Sequence, residues 1–250
     1  VALTYYETQT RRLLQNPGAP TTLYSTTDID SWINTARGQI ASEGECVRVL
    51  GQIPTIIGQT QYNFLDIDTA ATGELGIQGP ITVRAIRYVV GGGSKWITPR
   101  TWDWFQEVNL NNPNAAQGAP QFWAQFLQGA SQTGSSSTAG ANSINGGNFV
   151  LDPAPDQIYQ LRCDCVCYPL ALIDDTSPEA IPYLWTDCVP YLAAWYALLS
   201  SQTNARRADA EAYYKYYQEF LNKMWKVSSP TVNRFTFIEQ AAMNPQARQP

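Results

Sequence analysis

At 250 residues, with 44% hydrophobic and 12% aromatic side chains, the chain can bury roughly three quarters of its unfolded surface in one or two domains, which excludes a disordered or collagen-like polymer. Its 16 Lys plus Arg against 21 Asp plus Glu leave a net charge of −5, which excludes a coat that holds nucleic acid through a basic excess. It has no histidine, so the commonest general base, the imidazole metal ligands and every His-dependent triad are absent.

The longest apolar runs, such as residues 189–199, fall short of a bilayer span, and residues 1–10 lack a signal-peptide pattern, so a soluble, unsecreted protein is expected. Five cysteines are an odd number in a chain too large to need a disulfide framework, which points to reduced thiols and cytoplasmic synthesis.

Thr4-Tyr5-Tyr6-Glu7 has the spacing of a capping box and predicts a short helix that stops at Asn16-Pro17-Gly18. Thr26-Thr27-Asp28 starts a second, with Ile29, Trp32, Ile33, Ala36 and Ile40 on one face and an end near Gly44. From Val47 the period changes to two, and Ile53, Thr55 and Ile57 followed by Thr60, Tyr62 and Phe64 predict a hairpin around Gly58-Gln59. Ile81, Val83, Ala85, Tyr88 and Val90 mark a strand over residues 81–90 that ends in Gly91-Gly92-Gly93, with Trp96-Ile97-Thr98-Pro99 as its returning partner. Thr101 caps a short helix carrying Trp102 and Phe105. Residues 129–147, nearly all Gly, Ser, Ala, Asn, Thr and Gln, read as a flexible insertion, and a further hairpin is expected about Pro155-Asp156. Val189, Leu192, Ala193 and Tyr196, then Tyr213, Tyr216 or Tyr217, Phe220 and Met224, predict two packed helices, the first starting near Asp187 or kinked at Pro190. Residues 228–250 read as an extended tail with Phe235, Phe237 and Ile238 as its apolar anchors.

Several constellations invite chemistry. Cys163, Cys165 and Cys167 could bind zinc or copper(I), but positions two apart on a strand are about 6.5–7 Å from each other, too spread for one tetrahedral ion, and small apolar packing is the expected role. Gly91-Gly92-Gly93-Ser94-Lys95 lacks the phosphate-loop spacing and suits a hairpin turn. Asp174-Asp175 could serve as the acid and base of a glycosidase, yet precedes Thr-Ser-Pro and reads as solvated turn carboxylates. Arg206-Arg207 could form a local basic patch or start the last helix. Most tryptophans and tyrosines, including Trp32, Trp195, Tyr196 and Tyr213, fall on apolar helical faces and are expected in the core. Trp102, Trp104 and Trp123 are assigned as a subunit-interface candidate. No catalytic residue, metal site or cofactor is expected.

The run Arg11-Arg12-Leu13-Leu14-Gln15-Asn16-Pro17-Gly18, followed by Tyr24-Ser25 and Asp28-Ile29-Asp30-Ser31-Trp32-Ile33-Asn34-Thr35-Ala36-Arg37, resembles the opening of tailed-bacteriophage head-to-tail adaptor (neck or connector) proteins. The similarity continues in order through Gly58-Gln59-Thr60-Gln61-Tyr62, Ile86-Arg87-Tyr88-Val89, Leu151-Asp152-Pro153-Ala154-Pro155-Asp156 and Ile181-Pro182-Tyr183 to about residue 226. The resemblance implies a helical bundle bearing a β-domain, assembled as a ring of commonly twelve copies beneath the portal. That ring would bridge the portal protein and the tail or nozzle proteins in the virion neck, assembled in the host cytoplasm, with genome DNA passing through its lumen without specific binding. It also implies portal docking through the C-terminal segment, with Phe235, Phe237 and Ile238 as the portal-binding residues.

The expected fold is therefore α+β. Two N-terminal and two long C-terminal helices form a bundle from residues 1–46 and 178–227, with an inserted antiparallel β-domain over 47–177 containing the 129–147 insertion, and a docking tail over 228–250. The competing functional readings are a carbohydrate-binding virion or surface module that uses exposed tryptophans and, from the carboxylate pair, an acid/base hydrolase.

Overall fold

The computed structural model describes residues 3–16, 23–69, 76–90, 93–111, 116–126, 147–200 and 206–228. The chain divides into two compact units, one built from residues 1–46 and 171–250 and the other from 47–170. Most of the 129–147 insertion and nearly all of the 228–250 tail lie outside the described residues.

In the first unit the helices are α1 (Leu3–Leu14), α2 (Thr26–Gly44), α4 (Cys188–Ser200) and α5 (Arg207–Ser228). The helix α4 is apolar on nearly every side, and Val189, Leu192, Ala193, Ala194 and Ala197 have no exposed surface. A helix of that kind must be surrounded, and α1, α2 and α5 all pack on it. Pro190 is accommodated because it falls in the first turn, where amides have no intrahelical partner. The seam between α4 and α5 is aromatic: Trp195 stacks on Tyr214 at 4.8 Å, and Tyr191 lies against Tyr213, Tyr216 and Phe220. Trp32, Trp195, Tyr196 and Tyr213 are half-buried rather than enclosed in the core, and of the two candidates on α5 it is Tyr217 that is fully buried.

One helix end here is set by a partner distant in sequence and two by local groups. The capping box expected at Thr4 is replaced by a cap from Asp175, whose carboxylate accepts from the Thr4 N–H at 2.8 Å and the Thr4 hydroxyl at 2.6 Å. The left-handed exit of α1 falls on Gln15 (φ 52°), with the Asn16 N–H closing onto the Arg11 carbonyl, three residues ahead of the glycine that the sequence suggests. Ser25, one residue before the expected start, caps α2 by accepting from the Asp28 N–H.

A buried ion pair organises the unit. Arg37, fully enclosed on α2, donates from Nε and Nη2 to Glu179 and from Nη1 to the Asn34 side-chain Oδ1, while the Asn34 side chain exchanges two hydrogen bonds with the Leu172 backbone. The residues 171–181 are thereby pinned to α2. At its other end α2 meets α5: Glu43 accepts from the Tyr217 hydroxyl, its carbonyl accepts from Trp225 Nε1, and Gly44 leaves the space that Met224 fills.

The second unit contains strands β1 (Arg48–Pro54), β2 (Gln61–Asn63), β3 (Ile77–Val90), β4 (Gly93–Pro99), β5 (Phe122–Phe126), β6 (Asn148–Asp152) and β7 (Gln160–Pro169), with helix α3 (Trp102–Asn111) between β4 and β5. They form one seven-stranded sheet in the order β1-β7-β3-β4-β5-β6-β2. This corrects the expected helical bundle with an inserted antiparallel domain: the sheet is mixed and curls into a half-barrel, and with five α-helices among the described residues neither class is an appendage of the other. The parallel pair is β4 with β5, and α3 supplies the crossover that a parallel pair needs. Both expected β1/β2 and β6/β7 hairpins are absent. Instead β1 pairs with β7 and β2 with β6, so the Gly58-Gln59 and Pro155-Asp156 turns connect strands that do not pair with each other.

The curl originates in β3. Its inward residues Ile77, Pro80, Val83 and Ile86 recur every three positions, facing Pro169, Cys167, Cys165 and Cys163, which recur every two along β7. Three bulges, one after each of the first three rungs, supply the extra residues. The strand thus starts at Ile77, ahead of the expected Ile81, because proline is tolerated at a bulge. Ile81 and Ala85 leave the inner face for the same reason. Across the sheet, Gly51 of β1 lies where a Cβ would stand 2.4 Å from the Ile67 methyl, and Gln52 exchanges two backbone hydrogen bonds with Asp68, so the chain beyond β2 closes back on β1.

The Arg37 pair yields a quantitative expectation. Arg37→Ala leaves Glu179 charged and enclosed and should cost about 3–5 kcal/mol in urea unfolding, whereas the double replacement Arg37→Met with Glu179→Leu should cost far less. Equal losses in the two variants would contradict this account of the pair.

Candidate functional site

At one end of the half-barrel the inner face opens into a cleft of about 410 Å³ lined by Tyr88, Gly93, Ser94, Lys95, Ala119, Gln157 and Tyr159. Tyr88 and Tyr159 meet edge to face at 5.0 Å and form its floor. The Tyr159 hydroxyl donates to Asp156 at 2.7 Å, and burial together with that carboxylate raises the phenol above its ordinary value, keeping it a donor at neutral pH. Lys95 stands at the rim and makes no ion pair among the described residues.

The walls are loops bound to each other through backbone groups. The Thr55 N–H donates to the Tyr159 carbonyl, the Tyr159 N–H to the Thr55 hydroxyl, the Gly58 N–H to the Pro155 carbonyl and the Gly118 N–H to the Ala154 carbonyl. This leaves Ile56, Ile57 and Ile158 outside, with Ile158 70% exposed. Such mouths of barrels are common ligand sites, and this one offers a cation, an amide, a hydroxyl and apolar surface without a nucleophile–base pair.

Trp102, Trp104 and Trp123, singled out from sequence, do not line this cleft. Trp102 and Trp104 are half-buried, packing α3 onto β5: Trp102 lies 4.2 Å from Phe126, Trp104 lies 5.1 Å from Phe122, and Phe105 is enclosed beneath them with Ala124 and Val150. Trp123 is 3% exposed and belongs to the core. The tryptophans that do face outward are Trp96 and Trp225, at 58% and 48%, which the sequence reading missed. Phe235, Phe237 and Ile238 lie outside the described residues.

Cys163, Cys165 and Cys167 share the inner face of β7 and are fully buried, and all five thiols are free. Burial pushes Cys163 and Cys167 up to about 12 and raises Cys165 as well, so they are neutral thiols at physiological pH. Among the described residues no group of three or more Cys, Asp or Glu is placed to hold a metal ion, and no helix is long and apolar enough to cross a membrane. Asp174 accepts from Thr176 and Ser177 in its own turn, while Asp175 caps α1, so the two carboxylates serve separate structural tasks. Arg206 donates to the Leu13 and Leu14 carbonyls at the end of α1, and Arg207 pairs with Glu211, which occupies both guanidinium groups.

The chain matches no protein-family model and no curated protein.

Two expectations follow from this chemistry. In the folded chain the β7 thiols should react with a disulfide reagent at pH 8 at least about a hundredfold more slowly than after unfolding, because almost none is ionised; equal rates would contradict their burial. The Thr4 donors hold the Asp175 carboxyl below the usual carboxylate range. Its contribution to stability is therefore complete above about pH 3.9, the unfolded value, and disappears as pH falls through the lower folded one. A urea midpoint followed from pH 6 to pH 2 should fall more steeply for the wild type than for Asp175→Asn, and superimposable profiles would overturn the cap.

Proposed function

We propose that the chain is a structural adaptor of a tailed-phage virion, forming a ring that joins the capsid portal to the tail and surrounds the DNA conduit. The observation that carries this reading is the exposure of apolar side chains next to the Thr55–Tyr159 hydrogen bonds, where Ile56, Ile57 and Ile158 are each more than half exposed. Large apolar side chains left in water suit contact with another chain. Ile173, Tyr183 and Leu184 are exposed on the helical unit as well. Repeated interfaces whose rotation closes produce rings, and twelve copies is the number proposed here. The net charge of −5 suits a conduit that retains DNA weakly, since few phosphates would be neutralised.

In this reading Phe235, Phe237 and Ile238 anchor the C-terminal segment on the portal protein, and the tail or nozzle proteins attach to the ring. Assembly takes place in the host cytoplasm and the finished ring resides in the virion neck. The competing carbohydrate-binding reading is favoured by one observation, the exposed face of Trp96, which has the Arg87 guanidinium 5.5 Å from its ring. Quenching of tryptophan fluorescence by glycans, lost in Trp96→Ala, would support it over the adaptor.

Native mass spectrometry with a candidate portal is the direct test. The adaptor reading expects about twelve copies per portal ring and loss of the complex in Ile56→Glu with Ile158→Glu, a pair of exposed changes that should leave the urea midpoint of the isolated chain unaltered. One or two copies per portal, or a complex indifferent to both substitutions, would contradict it.

A further inference from the structure

On the outer face of the sheet, register aligns Gln52, Arg162, Arg87 and Trp96 as one rung across β1, β7, β3 and β4. Their neighbours along the strands, Leu161, Cys163, Ile86, Tyr88 and Ile97, are buried, so alternation turns the rung outward. Arg162 and Arg87 are thus directly opposed, with Cβ atoms roughly 4.5–5.5 Å apart, an arrangement in which like charges repel. The flanking rungs of these two strands bring Gln160 with Val89 on one side and Asp164 with Ala85 on the other. Asp164, the one carboxylate among those four, is held through both oxygens by Arg48. Neither Arg162 nor Arg87 forms an ion pair among the described residues, although both are half-buried. The Nε of Arg162 is enclosed without any hydrogen-bond partner, and a buried donor in that condition destabilises the fold until an acceptor reaches it. Arg87 lies over the ring of Trp96, which is 58% exposed.

We propose that the Arg162–Arg87 pair is a binding site for a doubly charged phosphate group, free or carried as a phosphomonoester. Charge decides the class. A carboxylate or a phosphodiester brings one negative charge to two guanidinium groups, whereas a terminal phosphate brings about −1.5 to −2 at pH 7 and offers three acceptor oxygens to the two forks. Binding supplies the missing acceptor on the Arg162 side and converts the repulsion between the strands into attraction to a shared counter-ion. Trp96, one strand beyond Arg87, presents an aromatic surface on which the sugar of a phosphate ester can lie. The site goes beyond the adaptor reading and does not rest on it.

The test uses the full-length chain at about pH 8, where a terminal phosphate is doubly charged. In calorimetric titrations at constant ionic strength, inorganic phosphate and glucose 6-phosphate should each bind at least about tenfold more tightly than acetate, which brings one charge to two forks. Arg162→Gln and Arg87→Gln should each weaken inorganic phosphate at least about tenfold. Each also removes the repulsion across the strands, so the urea midpoint without phosphate should stay at or above that of the wild type, which separates lost binding from a lost fold. Trp96→Ala tells the two sources apart. Weakened glucose 6-phosphate with unchanged inorganic phosphate assigns the site to a phosphomonoester, and equal retention of both assigns it to the free ion; either result upholds the phosphate site. Phosphate bound no more tightly than acetate, binding unchanged in both arginine variants, or a midpoint that falls in both would overturn it.

Discussion

Three bulges in β3 set the geometry on which the β-unit depends. A strand that advances three residues per inward rung beside a neighbour that advances two must bend, and the bend curls the sheet until its inner face is enclosed. The identity of the inner residues follows from that curvature. Small cysteines occupy β7 where the sheet is tightest, Gly51 yields to Ile67, and the larger Tyr88 and Tyr159 are reached only past the last bulge, where the rungs become regular and the barrel opens. The mouth is a consequence of where the bulges stop.

The helical unit depends on a different device. The helix α4 supplies apolar surface on all sides, which makes association of its neighbours favourable without fixing their arrangement. Arg37 with Glu179, Asp175 with Thr4, Arg206 with the end of α1 and Glu43 with Tyr217 each join one specific helix end or connection to another. An enclosed guanidinium admits few alternative partners, and its neighbour Tyr6, whose phenol is raised by burial and by the Glu179 charge, stays neutral beside it. Polar contacts thus fix the arrangement and apolar ones supply the cohesion, so the unit holds its fold while Ile173, Tyr183 and Leu184 stay exposed.

Much of the local structure is legible in the sequence, because local chemistry dictates it. The apolar face of α2, the β3–β4 hairpin, the Thr101-capped α3 and the tolerance of Pro190 in a first helical turn all follow from period and cap. Beyond the β3–β4 hairpin, pairing was not legible. Alternation about Gly58 and Pro155 shows that strands exist but not which strands they meet, and here each turn joins strands held by other partners. Phe122 to Phe126 escaped as a strand because its partner at β4 lies across a helix, and Asp175 escaped as a cap because the Thr4 it holds lies 171 residues earlier. The mouth gathers β3, β4 and two loops, so only the Gly93-Ser94-Lys95 run carried any signal of it, and that run also fits a simple turn. Trp102 and Trp104 stood out for the opposite reason, since the β5 surface that half-covers them was not foreseen.

The dependence of the mouth on curvature can be measured in one pair of variants. Deleting Ile81 removes a bulge yet returns Pro80, Thr82 and Val83 to simple alternation, so every remaining inward residue keeps its face and only the bend is lost. Ile81→Ala trims the same side chain and keeps the bulge. The account predicts that the urea midpoint of the deletion falls clearly below that of Ile81→Ala, because a straightened β3 cannot bring the Asp68 segment back onto Gln52. Coincident midpoints would contradict it, showing that the enclosure of this core does not rest on the bulges of β3.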